Sequence, residues 1–134
     1  MVDANVLISA LMRDSTTRRL LVLGGHELHV PEYVFEEIEV HREELCSRAD
    51  LTLDAFREVL GILRSHLAEH KVSDYGQQLD PALQLLKDRD VKDAPYVALA
   101  LSLRADGLWT QDRGLDSMEG VRVVRTADLT GGAP

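Results

Sequence analysis

Strand-like runs alternate with segments of helical period along almost the whole chain, and that alternation restricts the fold more than any other feature. Met1-Val2 is the stub of a first strand, after which Val6, Leu7, Ala10 and Leu11 recur at helical spacing. Ser15-Thr16-Thr17 caps a second short helix through Leu23, which stops at Gly24-Gly25. Leu28-His29-Val30 is a short strand, and Pro31 marks the start of a helix to about Arg48. Another helix, Thr52 to Ala68, carries Leu53, Phe56, Leu60, Leu63 and Leu67 on one stripe and forms a hairpin with its predecessor. Lys71-Val72 is a candidate strand and Pro81 to Lys87 a short helix. Asp93 opens a helix with Ala94, Val97, Ala98 and Leu101 at i, i+3, i+4 and i+7. Gly107-Leu108-Trp109-Thr110 and Val121-Arg122-Val123-Val124 complete the strands. Strands separated by helices predict a mainly parallel sheet covered on both faces, a three-layer α/β/α domain over residues 1–129 with a frayed tail at 130–134.

In such a sheet, ligands bind beyond the carboxyl ends of the strands. Asp3 and Asp112 each follow a predicted strand directly, and Asp93 begins a helix whose N-terminus points at the same rim. Each acid has a plainer reading. Asp3 and Asp93 suit helix N-caps, with Pro95 strengthening the second, and Asp112 suits a turn before Arg113-Gly114. Three acids at one rim carry more weight than any one of them.

Glu37 is the fourth candidate. At about 100° per residue, Val34, Ile38, His41 and Leu45 define the buried stripe of their helix, and Glu37 lies about 70° from its centre. Glu36, Glu39 and Glu43 point to solvent, so Glu37 is best placed to reach inward, or else forms a salt bridge at the boundary. Two carboxylates about 5 Å apart repel by roughly 3 kcal/mol at an effective dielectric near 20. Protonation, spreading of the acids or a bound cation relieves that repulsion, and an all-oxygen donor set selects Mg²⁺ or Mn²⁺ over Zn²⁺.

The net charge of −8 argues against binding nucleic acid through a general basic surface, without excluding nucleic acid as substrate. Apolar runs fall short of the roughly 20 residues of a membrane span. No N-terminal segment has the pattern of a secretion signal, and Cys46 is the only cysteine, which points to a reducing cytoplasm.

The ordered set of motifs resembles the PIN domain, the fold of many small metal-dependent ribonucleases, including toxins of the VapC type. The matching pieces are Asp3-Ala4-Asn5-Val6-Leu7, Pro31 to Ile38 with Glu37, Asp90-Val91-Lys92-Asp93-Ala94-Pro95-Tyr96-Val97-Ala98-Leu99-Ala100, and Ala105 to Asp112 followed by Leu115. The resemblance implies that Asp3, Glu37, Asp93 and Asp112 hold Mg²⁺ or Mn²⁺ ions that position water for attack on an RNA phosphodiester. Asn5 and Thr110 match polar positions that support the acids, and Asp90 matches an acidic position upstream of the third acid. RNA is then the substrate, with an antitoxin protein and a second copy of the chain as candidate partners. The hairpin through residues 31–68 fits such contacts, although Leu53, Phe56, Leu60 and Leu63 fit internal packing equally well. Only Met1 and Val2 precede Asp3, fewer strand residues than the family usually carries, so a short first strand or an upstream start is expected. A non-catalytic domain that binds RNA or protein is the competing reading.

Other motifs point nowhere specific. His66 and His70 stand at i, i+4, but no third ligand accompanies them and a solvated helix end is the better reading. His26 and His29 flank a turn and a strand without a pattern, and His41 follows Glu37 by one turn. Lys92 and Arg113 are solvated or meet RNA phosphates. Gly24-Gly25 and Gly131-Gly132 lack the spacing of a phosphate-cradling loop.

Overall fold

A computed structural model describes residues 1–12, 15–118 and 120–130. The expected frayed tail, from residue 131 onward, lies outside the described residues, while Thr130 closes a helix. The elements in order are α1 (Ala4–Leu11), α2 (Thr16–Leu23), β1 (Leu28–Pro31), α3 (Tyr33–Val40), α4 (Arg42–Ala49), α5 (Leu53–Ser65) and β2 (Leu67–His70). They continue with α6 (Val72–Tyr75), α7 (Leu79–Leu85), α8 (Ala94–Leu103), β3 (Leu108–Trp109), β4 (Val123–Val124) and α9 (Thr126–Thr130).

The sheet is parallel throughout its described pairings. β1 pairs with β2 in the register Leu28↔Leu67 to Pro31↔His70, and β3 pairs with β4. The Met1-Val2 stub lies between these pairs. Val2 bridges Trp109 in parallel, its N–H donates to the His29 carbonyl at 2.9 Å, and the Trp109 N–H donates to the Met1 carbonyl at 2.7 Å. The spatial order is therefore β2, β1, the stub, β3, β4. Met1 and Val2 are held between the two pairs because both neighbours hydrogen-bond to them and both side chains are buried.

Local chemistry sets the helix ends. The Ser15 hydroxyl accepts from the Arg18 N–H at 3.0 Å, and Thr52 accepts from Ala55 at 3.1 Å. The Arg18 guanidinium closes α1 by donating to the carbonyls of Ala10 at 2.7 Å and Met12 at 2.8 Å. α8 is the central helix: Ala94, Tyr96, Val97, Ala98, Leu99 and Ala100 are all buried, as expected for a helix apolar on most sides.

Three expectations need correction. The helix from Pro31 to Arg48 is broken at His41, whose backbone (φ −98, ψ 15) leaves the helical region, and Arg42 takes the Glu39 carbonyl at 3.0 Å. His41 is exposed rather than part of the buried stripe. The helix from Thr52 stops at Ser65, and Leu67 to Ala68 belong to β2, because parallel pairing with β1 takes over after the turn at His66. Lys71-Val72 is not a strand: Lys71 caps α6, its N–H donating to Asp74 Oδ2 at 3.2 Å. Phe56, Leu60 and Leu63 are buried in the core, so the hairpin stripe packs internally and leaves Leu53, Val40 and Ile62 exposed.

β3 and β4 approach closely where β3 begins. A Cβ added at Gly107 would stand 2.5 Å from Val124 Cγ2 and 3.3 Å from the Arg122 carbonyl. Valine is stiff about χ1 and cannot swing aside cheaply. Gly107→Ala is therefore expected to destabilise the fold by about 1–3 kcal/mol, seen as a lower urea midpoint at unchanged slope. A midpoint equal to wild type would show that β4 is not seated against β3 as described.

Candidate metal centre

Asp3 leaves the stub at the carboxyl end of the sheet and is 3% exposed. It occupies the N-cap of α1, yet its carboxylate makes no capping bond there. Instead Asp3 Oδ2 accepts from the Thr110 hydroxyl at 2.6 Å, with the Ala4 amide as further polar support. Burial pushes the Asp3 carboxyl above its ordinary value; the two hydrogen bonds pull it down, and the Asp112 charge pushes it up again.

Thr110 joins two of the acids. Its hydroxyl donates to Asp3 and accepts from the Asp112 N–H at 3.0 Å, while its carbonyl receives the Arg125 guanidinium at 2.7 Å. Asp112 Oδ1 accepts from Gly114 N–H at 2.9 Å, which realises the turn reading and, among the described residues, leaves Oδ2 uncommitted. Arg89 holds the loop beyond by donating to the Gly114 carbonyl at 3.0 Å, and Arg125 pairs with Asp116. The described structure thus fixes the loop after Asp112 with two arginines that sequence reasoning did not single out. They stand too far from Asp112 in sequence to show a pattern.

Asp93 is half-buried at the N-cap of α8 and, like Asp3, makes no capping bond with its side chain. The capping falls to Asp90, whose carboxylate accepts from Lys92 N–H at 3.0 Å in the tight turn Val91–Asp93. The Asp93 carboxyl is pushed up to about 7, first by burial and then by the charges of Asp3, Asp112 and Asp90. Asp3, Asp93 and Asp112 therefore share one electrostatic neighbourhood.

Glu37 stands apart from them. It is exposed on α3 and borders a cavity of about 210 Å³ with Ala4, Ile8 and Ile38. Two tyrosines feel its charge together with those of the other acids. Tyr96 feels the charges of both Asp3 and Glu37, and Tyr33 feels those of Glu37 and Asp93. Their rings are 5.8 Å apart. Burial pushes Tyr33 up to about 12 and Tyr96 higher still. The Tyr33 hydroxyl lies close enough to perturb Tyr96, but among the described residues no group meets the buried Tyr96 hydroxyl in good hydrogen-bonding geometry. Each tyrosine lies one helical turn from an acid, Tyr33 four residues before Glu37 and Tyr96 three after Asp93, a spacing already legible in the chain. Asn5 is exposed on the first turn of α1 and joins none of these contacts.

The model of the PIN domain family matches residues 1–130. The chain belongs to the PIN domain family. PIN domains are generally nucleases of α/β fold that bind RNA and typically use divalent metals. No curated protein matches the chain. In this PIN domain the three rim acids present only oxygen donors, the set that suits a hard divalent cation. Among the described residues no three His, Cys, Asp or Glu side chains converge as a ready-made cage. The fit to a cation is thus one of donor chemistry and mutual repulsion, with closure left to the side chains of Asp93 and Asp112, which are only half-buried.

A raised carboxyl has a definite linkage sign. Between the ordinary value near 3.8 and about 7, folded Asp93 binds more protons than the unfolded chain, so its contribution to stability falls as pH rises through that window. Metal-free protein is expected to lose stability from pH 5 to pH 8 more steeply than Asp93→Asn, as measured by urea denaturation in EDTA. Parallel pH profiles for the two proteins would show that Asp93 is not crowded by the other acids.

Proposed function

We propose that this PIN domain is a Mg²⁺- or Mn²⁺-dependent endoribonuclease with Asp3, Glu37, Asp93 and Asp112 as its metal-binding carboxylates. The observation that carries the reading is that Thr110 ties buried Asp3 to Asp112 at the carboxyl end of the sheet, with Asp93 in the same electrostatic neighbourhood. Acids held at this mutual disadvantage favour a cation at the carboxyl rim of a parallel sheet. When bound, such an ion supplies an activated water and neutralises charge developing on the phosphodiester.

The chain's own residues divide the remaining work. Thr110 holds Asp3 in one orientation, so Asp3 is the fixed ligand. Asp112 keeps Oδ2 for the ion while Oδ1 stays in its own turn. Asp93 closes from α8, and Glu37 acts from α3 as the outer carboxylate toward the entering substrate. Thr110 thereby supports the site directly, and Asn5 supports it from the first turn of α1. The reading extends to a toxin of the VapC type in a reducing cytoplasm, controlled by an antitoxin protein, with a second copy of the chain as a further partner through the hairpin. No helix among the described residues is long and apolar enough to cross a membrane.

Purified protein is expected to cleave unstructured or structured RNA in Mn²⁺, with EDTA abolishing cleavage. Asp93→Asn should lower the rate by roughly a hundredfold or more. Equal cleavage by wild type and Asp93→Asn would expose a contaminant. Tight RNA binding without cleavage would establish the non-catalytic reading.

A further inference from the structure

A chain of four polar side chains that the acid rim does not use runs from Glu27, before β1, through His29 on β1 and His70 on β2 to Asp74 in α6. His29 Nδ1 faces His70 Nε2 at 2.9 Å across the strand pair. The far nitrogen of each ring faces a carboxylate: His29 Nε2 lies 3.1 Å from Glu27 Oε1, and His70 Nδ1 lies 3.4 Å from Asp74 Oδ2. No hydrogen bond or ion pair among the described residues joins this group to Asp3, Asp93 or Asp112.

The proton count decides what the pair can hold. A carboxylate only accepts, so Glu27 draws the proton of His29 to Nε2, and Asp74 draws that of His70 to Nδ1. With both rings neutral in these tautomers, two lone pairs confront each other at 2.9 Å. A switch of tautomer in one ring relieves this with an ordinary N–H···N bond at the cost of that ring's carboxylate contact, whereas a metal ion between the rings relieves it with both carboxylate contacts kept, since a ligating histidine usually donates its other N–H to a carboxylate. Imidazole nitrogens bind Zn²⁺ at about 2.0–2.1 Å, which places two of them roughly 3.3 Å apart in tetrahedral geometry. The pair needs to open by only about 0.4 Å to accept the ion.

We propose that His29 and His70 form a second, imidazole-type site for a borderline divalent cation such as Zn²⁺, with Glu27 and Asp74 orienting the two rings. The pair supplies two protein ligands, and water completes the coordination. His29 also lines an open cavity of about 540 Å³, which leaves room for that water. The donor chemistry separates this site from the rim, because imidazole suits Zn²⁺ whereas carboxylates and water suit Mg²⁺ and Mn²⁺. Occupation has a structural consequence: it ties β2 to β1, and the His29 carbonyl of β1 holds the Val2 N–H next to Asp3. The site thus regulates the rigidity of the strand that presents the first acid.

The sequence hid this arrangement. His70 suggested a helical i, i+4 partnership with His66, but His66 ends α5 and His70 ends β2. The true partner lies 41 residues away.

Untagged protein titrated with ZnSO₄ provides the test, with melting temperature and the visible spectrum of the Co²⁺-substituted protein as readouts. Wild type and Asp93→Asn are both expected to gain about 5 °C or more at saturating Zn²⁺, and Mn²⁺ should not reproduce the gain in Asp93→Asn. His29→Gln and His70→Gln, each compared with its own metal-free midpoint, should lose the shift and the Co²⁺ band. No Zn²⁺ shift in wild type, or an undiminished shift and band in both histidine variants, would overturn the proposal. Because neither readout involves RNA, failure here leaves the ribonuclease reading standing, and failure of that reading leaves this one.

Discussion

The buried hydrogen bond from the Thr110 hydroxyl to Asp3 Oδ2 is the contact on which the rim depends. It ties the end of the central stub to the end of β3, and through the Asp112 N–H it reaches the loop that follows. A carboxylate 3% exposed is expensive to ionise, and hydrogen bonds to the charged form offset part of that penalty. With Asp3 fixed this way, every other acid at the rim meets a charge that cannot move out of its way.

That immobility adds to the burial that pushes the Asp93 carboxyl up to about 7, while Asp3 is itself raised by burial. Asp3 has compensating hydrogen bonds, and Asp112 has its turn and the Thr110 contact. Asp93 makes no cap bond and faces three acidic neighbours, so the unrelieved repulsion gathers there. A protein does not maintain such an arrangement for stability, since a small domain has only roughly 5–15 kcal/mol in total. Perturbed titration in a cluster of this kind accords with a PIN domain's habitual use of divalent metals.

Much of this was legible before any coordinates. Asp3 and Asp112 sit directly after strand-forming residues, and a parallel sheet brings such positions to one rim whatever the loop lengths between them. The plainer N-cap readings of Asp3 and Asp93 named the right backbone positions but the wrong use of the side chains, which make no caps. What stayed hidden was non-local. Leu67 continues the stripe of α5 and equally suits a half-buried strand, so only its pairing with Leu28 decides between them. Arg89 and Arg125 act across 9 to 28 residues, and His29 meets His70 across 41, distances at which sequence spacing carries no signal. Glu37 was expected to reach inward from the boundary of its helix, and it is exposed on α3 instead, where its charge is felt by Tyr33 and Tyr96.

Crystals soaked in Mn²⁺ and measured for anomalous scattering test the central claim most directly. The account predicts a peak at the carboxyl rim with oxygens of Asp3, Asp93 and Asp112 drawn in to about 2.1 Å, Asp3 still bound to Thr110. A rim without a peak at saturating Mn²⁺, its acids no closer than in metal-free crystals, would contradict it.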